Sequence, residues 1–101
     1  MPRKARIDAP GALHHIVTRG IERRRIFRDP SDYGDFTRRL GLILKETSSF
    51  CYAWCLMPNH IHLLLRTGLH PISTVMSRLL TGYARYFNRR HDRNGHLFQN
   101  R

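Results

Sequence analysis

Two short apolar segments and the turn between them decide the fold: Ser49-Phe-Cys-Tyr-Ala-Trp-Cys-Leu-Met57, then Pro58-Asn59, then His60-Ile-His-Leu-Leu-Leu-Arg66. The first segment is aromatic and apolar, which is typical of a buried strand. The Pro-Asn pair is a tight-turn signal, so the last segment is predicted to return antiparallel to the first. On the first strand, we expect one face to form core: Phe50, Tyr52, Trp54 and Leu56.

Along the second strand, polar and apolar side chains are predicted to lie on opposite faces. Residues two apart on a strand share a face. His60 and His62 are therefore predicted to lie on one face, together with Leu64 and Arg66. The other face, which we expect to meet the helices, is purely apolar: Ile61, Leu63 and Leu65.

The segments before this hairpin predict a strand, a loop and a helix. Leu13 to Thr18 is short and β-branched near its end, as strands are. Residues 19–28 form an arginine-rich loop that we expect to be flexible. Asp29 is a suitable cap, Pro30 suits the first helical position, and the helix should end near Glu46. Its apolar positions recur at helical spacing: Phe36, Leu40, Ile43 and Leu44.

A second helix and a strand fragment follow the hairpin. The helix is predicted to begin at Pro71 and to end near Arg90 or His91. Its apolar stripe is regular: Ile72, Val75, Met76, Leu79, Leu80, Tyr83 and Phe87. Residues 95–99 look like the start of another strand. The order is β-α-β-β-α with a further strand fragment, which is the α+β ferredoxin-like pattern: an antiparallel sheet with both helices on one face and the other face open.

Length and charge restrict the class of protein. The 101 residues predict a single domain, 1–101, in which residues 1–10 form a basic arm. Eighteen Lys and Arg against seven Asp and Glu give a net charge of +11, which favours a nucleic-acid partner. No apolar run is long enough to span a membrane, and the N-terminus does not resemble a signal peptide.

The two cysteines are expected to be reduced core thiols in the cytoplasm. Cys51 and Cys55 lie four residues apart on a predicted strand, so their Cα atoms are about 13 Å apart. A disulfide needs a Cα separation below roughly 7 Å. Reduced thiols are typical of cytoplasmic proteins.

The histidine pair is the candidate metal site. Two neutral imidazoles on one strand face can share a divalent cation such as Mn, Zn, Co or Ni, and Mg is acceptable when substrate oxygens complete the shell. Two ligands make an open site, which suits phosphodiester chemistry because the metal must reach a phosphate oxygen. The alternative is that His60 and His62 are surface residues that share a face by chance.

Several segments carry a resemblance to a known family. Met57-Pro-Asn-His-Ile-His-Leu-Leu-Leu65 resembles the His-hydrophobic-His (HUH) motif of single-strand DNA transposases, and more closely that of the REP-associated tyrosine transposases of bacteria. Further similar segments are Ala9 to Gly20, Ile26 to Asp29, Tyr86 to Arg90 and Gly95 to Gln99. Together they cover nearly the whole chain.

The resemblance implies a bacterial, cytoplasmic enzyme that cleaves and rejoins single-stranded DNA beside short palindromic hairpins. It implies a ferredoxin-like domain, often a homodimer, in which the two histidines hold a Mg or Mn ion. A tyrosine attacks the phosphate and forms a 5′-phosphotyrosine, so that no ATP is needed. In the family this tyrosine lies on a helix beyond the segment that matches Gly95 to Gln99. We therefore expect a chain ending at Arg101 to be C-terminally truncated relative to the family.

The remaining tyrosines are weak substitutes for that nucleophile. Tyr83 belongs to the apolar stripe of the second helix and Tyr86 borders it, so core packing is the expected role of both. They are nevertheless the fallback candidates. No catalytic residue is assigned with more certainty from the sequence.

The candidate DNA-binding residues are basic side chains in the arm, in the loop and on the second helix. Arginine suits this role because its planar guanidinium matches phosphate. The candidates are Arg3, Lys4, Arg6, Arg19, Arg23, Arg24, Arg25, Arg28, Arg85 and Arg89. Two functions stay open at this point: a metal-dependent nicking and strand-transfer enzyme, and a non-catalytic module that binds hairpin DNA without cleaving it.

Overall fold

The computed structural model describes residues 9–99. Its elements are β1 (Leu13–Arg19), a single 3-10 turn (Ile21–Arg23), α1 (Pro30–Glu46), β2 (Phe50–Met57), β3 (His60–Arg66) and α2 (Ile72–Arg90). The predicted α+β order is confirmed, and the predicted bounds of these three strands and two helices agree within one residue. The basic-arm candidates Arg3, Lys4 and Arg6 lie outside the described residues.

The sheet is antiparallel, with strand order β1-β3-β2. The central strand β3 therefore pairs on both sides, whereas β2 is an edge strand. The segment after α2 returns beside the end of β1, where Gly20 and Phe98 form an isolated bridge. The predicted further strand is therefore present only as this single bridge. Its position beside β1 fits the ferredoxin-like order.

The core lies between one face of the sheet and the two helices. Ile61, Leu63 and Leu65 of β3 are fully buried there, as their alternation predicts. The predicted stripe of α2 is also confirmed, because all of its apolar residues are buried. The Asp29 carboxylate accepts a hydrogen bond from the Asp32 amide at 3.2 Å and so caps α1 as expected.

The prediction for β2 was wrong in its burial. Phe50, Tyr52 and Trp54 are 60%, 55% and 61% exposed, and of the four residues predicted to form a core face only Leu56 packs against the core. Between Cys51 and Ala53 the register shifts, which breaks the alternation on which a single core face depends. In addition, β2 is an edge strand that the helices do not cover fully. Both cysteines have free thiols, as predicted. Cys51 is half-buried and borders the core, but Cys55 is exposed, so the prediction of a core position was wrong for Cys55.

A buried carboxylate joins the start of α1 to the end of α2. Asp32 has no exposed surface and accepts hydrogen bonds from the Arg28 amide at 2.9 Å and the Tyr86 hydroxyl at 2.9 Å. Arg90 Nη1 donates to it at 3.0 Å, and His91 Nε2 lies 2.8 Å away. The four partners satisfy a charge that would otherwise be costly to bury.

This cluster predicts acid sensitivity. Burial alone would raise the pKa of Asp32, but hydrogen bonds from Arg28, His91 and Tyr86 outweigh it, and the pKa is lowered below 3.8. A carboxyl whose pKa is lower in the folded state contributes stability above its unfolded pKa of about 3.9 and loses it as the pH falls through the folded value. Urea unfolding should therefore show a midpoint that falls steeply below about pH 4. An Asp32→Asn variant should show a flatter acid limb; an equally steep limb would contradict this assignment.

Candidate metal and nucleic-acid site

The two histidines of β3 lie on the sheet face that the helices leave uncovered. Their ring centroids are 5.1 Å apart, and the rings are nearly perpendicular. Both side chains are half-buried, in contrast to the fully buried residues that alternate with them. The structure thus has His60 and His62 together on one open face, as predicted.

Asn59, the last residue of the turn, orients His60. Its Oδ1 lies 2.8 Å from His60 Nδ1, and its Nδ2 donates to the Arg23 carbonyl at 3.5 Å. Because an amide oxygen only accepts, His60 Nδ1 carries the proton, and in the neutral ring this leaves the lone pair on Nε2. A histidine ligand held through its second nitrogen in this way is typical of metal sites.

His15 of β1 contacts His62 as Asn59 contacts His60. The two rings stack with centroids 5.5 Å apart, and His15 Nε2 lies 3.3 Å from His62 Nδ1. When His62 Nδ1 donates to His15, Nε2 of His62 is free to bind a cation. The neighbouring His14 is buried on the opposite face, toward the helices. Sequence alone did not assign His15 to the site, because the register of β1 on β3 is needed to place it.

The structure brings together two metal-ligand candidates but no third. Within residues 9–99, no three His, Cys, Asp or Glu side chains are grouped as a cation site would require. Two imidazoles with free Nε2 atoms fit a Mg or Mn ion whose remaining positions are filled by water and phosphate oxygens.

Tyr83 and Tyr86 lie on the other side of the sheet from the histidine pair. Tyr83 is fully buried, and its hydroxyl donates to the carbonyl of Ile26. Burial, followed by the nearby Asp32 charge, raises its pKa far above the usual range. The pKa of Tyr86 is also raised, by burial and by its bond to Asp32. The structure therefore does not bring either fallback nucleophile to the candidate metal site.

The arginine loop is anchored, in contrast to the flexible loop that we expected. The amides of Ile26 and Phe27 donate to the Pro58 carbonyl at 2.7 and 3.2 Å, and the Gly20 amide donates to the Asn59 carbonyl at 2.9 Å. These bonds tie the loop to the turn that precedes His60. The backbone of the loop is thereby held at the start of β3.

The close packing at Gly20 predicts a sharp mutational effect. A Cβ atom there would lie 2.1 Å from the Arg24 carbonyl oxygen, which belongs to the backbone. Gly20→Ala is expected to lower the free energy of unfolding by about 1–3 kcal/mol, because the loop must move away. A matched control is Gly34→Ala on α1, where an added Cβ meets nothing and should stabilise the helix by up to about 1 kcal/mol. Equal thermal stability of the two variants would contradict the prediction.

The predicted DNA-binding arginines that the structure describes form two groups. Arg19 is the register partner of His60, at the exposed end of β1. Arg24, Arg25 and Arg28 line a cleft of about 240 Å³ with Phe87 and Arg93, and Arg28 lies over the Phe87 ring at 5.3 Å. Arg23 is exposed in the same loop. This first group lies in the segment that the Pro58-Asn59 turn anchors.

The second group lies on the helix layer. Arg85 and Arg89 line a groove of about 420 Å³ with Arg39, Tyr86 and Arg90. Arg39 is ion-paired with Asp35 and Arg90 with Asp29, but Arg85 and Arg89 pair with no acid that the structure describes. Of the seven candidates between residues 9 and 99, only Arg24 has a described ion pair, with Glu22 at 3.6 Å. Most of these guanidinium groups are thus available to phosphate.

None of the helices in the described part of the chain is both long and apolar enough to cross a membrane.

Comparison with solved structures supports the fold. A REP-associated tyrosine transposase solved with a REP hairpin superposes with a TM-score of 0.74 at 14% identity, over 100% of this chain and 59% of that one. A proposed transposase from Deinococcus radiodurans R1 superposes with a TM-score of 0.65 at 23% identity, over 90% of this chain and 70% of that one. The chain thus spans about three fifths of the length of the first of these proteins.

Sequence comparison assigns the family. No curated protein matches the chain significantly. The family model described as "Transposase IS200 like" matches residues 10–101, which include the histidine pair, the anchored arginine loop and both helices. The resemblance drawn from the sequence is confirmed at this level, and the chain belongs to the IS200-like transposase family.

Proposed function

We propose that the chain binds single-stranded or hairpin DNA and positions one of its phosphates at a Mg or Mn ion held by His60 and His62. The observation that carries the proposal is the open-face pair of imidazoles: Asn59 holds His60 through Nδ1, and His62 Nδ1 lies 3.3 Å from His15 Nε2, so the tautomers that leave both Nε2 atoms available fit these contacts. When bound, such an ion supplies Lewis-acid polarisation of a phosphate oxygen. In the whole enzyme, this chemistry would serve metal-dependent cleavage and strand transfer of single-stranded DNA.

The residues of this chain supply binding and orientation. Asn59 and His15 hold the two imidazoles, and Arg19 lies across the strand pair from His60. The anchored loop adds guanidinium groups whose charges few acids neutralise. The hairpin named for the solved REP-associated transposase supports DNA as the partner class.

A second function is favoured by the position of the tyrosines. Tyr83 and Tyr86 are hydrogen-bonded in the helix layer, away from the pair. The chain on its own would then act as a module that binds hairpin DNA without cutting it. The predicted homodimer stays a prediction, which sedimentation velocity tests.

The test combines binding and cleavage. The chain is titrated into a fluorescent DNA hairpin with a single-stranded flank, at several salt concentrations, and cleavage is followed with Mn²⁺. We expect salt-sensitive binding, with each lost phosphate contact reducing the salt slope by about 0.7–0.9. Arg25→Ala should reduce the slope, whereas Arg38→Ala should not, because Arg38 is paired with Asp35 on α1.

The outcomes separate the two functions. A covalent adduct or cut strand identifies a nicking enzyme, and binding without either identifies a non-catalytic module. Equal effects of Arg25→Ala and Arg38→Ala would mean that the DNA does not use the arginine loop.

A further inference from the structure

A small cleft lies where the arginine loop meets the end of α2. Its volume is about 240 Å³, which is below the range of roughly 300–1,000 Å³ for sites that enclose a drug-sized ligand. Four arginines and one aromatic ring line it: Arg24, Arg25, Arg28, Arg93 and Phe87. No acidic side chain among residues 9–99 contributes to its wall. The size and charge of this arginine cleft therefore fit a single anionic group better than a whole nucleotide.

Arg93, just beyond α2, is held in the wall of the cleft by neutral acceptors. Its Nη1 donates to Asn88 Oδ1 at 2.8 Å, and its Nη2 donates to the His96 carbonyl at 3.2 Å. Neither acceptor carries a charge, so these bonds orient the guanidinium without neutralising it. Because buried charges are normally paired, a half-buried cation that is fixed in this way indicates a place for an anion.

The loop arginines add positive charge that the fold does not compensate. Arg28 lies over the Phe87 ring, with its guanidinium carbon 5.3 Å from the ring centroid. In the described part of the chain, Arg24 pairs with Glu22 at 3.6 Å, with both side chains well exposed, whereas Arg25 and Arg28 have no ion pair. The C-terminal end of α2 supplies only about half a negative charge. The helix end therefore does not account for this group of cations.

Shape favours a phosphate group over a carboxylate as the anion. A carboxylate has two oxygens in one plane, and one guanidinium fork can occupy both of them. A phosphate group is tetrahedral, so its oxygens can accept from guanidinium groups on different sides. The arginine cleft offers this arrangement, because its cations come from two segments, the loop and the residues after α2. The net charge of +11 also favours a polyanion as the source of the phosphate.

We propose that the arginine cleft binds one phosphate group of the DNA, separate from the phosphate at the histidine pair. The proposal rests on the proposed function, because the same DNA is the ligand, and it adds a second phosphate site. Phe87 belongs to α2, so the cleft lies on the helix side of the sheet, whereas the histidine pair lies on the open face. A DNA strand that occupies both sites passes around the end of the sheet at the Pro58-Asn59 turn, to which the loop is bonded.

Chemical changes to the DNA test the proposal. A fluorescent hairpin with a single-stranded flank is made as a series in which one backbone phosphate at a time is a neutral methylphosphonate. A matched pair with and without a 5′-phosphate tests the strand end. Affinity is measured by anisotropy in metal-free buffer. We expect one phosphate, internal or terminal, whose loss weakens binding by roughly tenfold, as is typical of hydrogen bonds to charged groups.

Two variants assign that phosphate to the cleft. In Arg28→Ala and in Arg93→Ala, loss of the same phosphate should have little further effect, because its partner is already missing. Arg28→Ala is the cleaner variant, since the Arg93 side chain also bonds to its own segment. Arg78→Ala is the matched control: it removes an equal charge about 13 Å along α2 from Phe87. At about 0.15 M salt that distance exceeds the screening length, so we expect a change of less than about twofold.

The inference is overturned if no phosphate shows this coupling to Arg28→Ala, or if Arg28→Ala and Arg78→Ala weaken binding equally. Coupling to an internal methylphosphonate identifies a backbone phosphate, and coupling to the 5′-phosphate identifies a strand end. Failure of the proposed metal site gives a different result: His60→Ala would keep its affinity for Mn²⁺ while the coupling between Arg28 and its phosphate persists.

Discussion

Replacing His60 by alanine is expected to lower the affinity of the chain for Mn²⁺ by at least about 100-fold. The described residues offer two neighbouring imidazoles and no third ligand beside them. Loss of one leaves a single imidazole, and even residues that only orient a ligand cost 10–100-fold when they are removed. Electron paramagnetic resonance of free Mn²⁺ measures the affinity, and circular dichroism checks that the variant is folded.

Variants of the supporting residues should give a graded series. Asn59→Ala and His15→Ala are expected to weaken Mn²⁺ binding by about tenfold, since each holds one imidazole through its Nδ1. His70→Ala is the control, because His70 is exposed in the segment before α2. If His60→Ala and His70→Ala bind Mn²⁺ equally well, the pair is not a metal site.

Replacing Asp32 by alanine is expected to lower the free energy of unfolding by about 3 kcal/mol. The change leaves the Tyr86 hydroxyl, the His91 imidazole and the Arg28 amide without their shared acceptor and removes an ion pair with Arg90. Breaking a buried charge cluster from one side typically costs 3–5 kcal/mol, and partial exposure of Arg90 favours the lower end. Since small domains have total stabilities of about 5–15 kcal/mol, the loss is readily measured by urea unfolding.

Glu46→Ala is the control for Asp32→Ala. Glu46 pairs with Arg78 at 2.7 Å, but both side chains are about half exposed, so this pair should contribute less than about 1 kcal/mol. A comparable loss in the two variants would mean that the Asp32 cluster does not join the helices. Far-ultraviolet circular dichroism distinguishes a less stable fold from a chain that fails to fold.

Local signals were sufficient for the order and bounds of the elements. The Asp-Pro start of α1, the Pro-Asn turn and the apolar stripe of α2 each depend on residues close in the chain, and each was predicted correctly. The exposure of β2 could not be predicted in this way. An aromatic segment is compatible with a central or an edge strand, and only the pairing order and the register shift after Cys51 decide which residues meet the core.

The sequence alone was enough to place His60 and His62 on one strand face, because the two-residue period of a strand is a local property. Tertiary structure decided what surrounds them. His15 lies 47 residues away in the chain, and Arg23 meets Asn59 only because the arginine loop bonds to the turn. Such contacts depend on strand register and loop path, which arise from packing of the whole domain. The same reason makes Trp54 an exposed residue of an edge strand instead of a core residue.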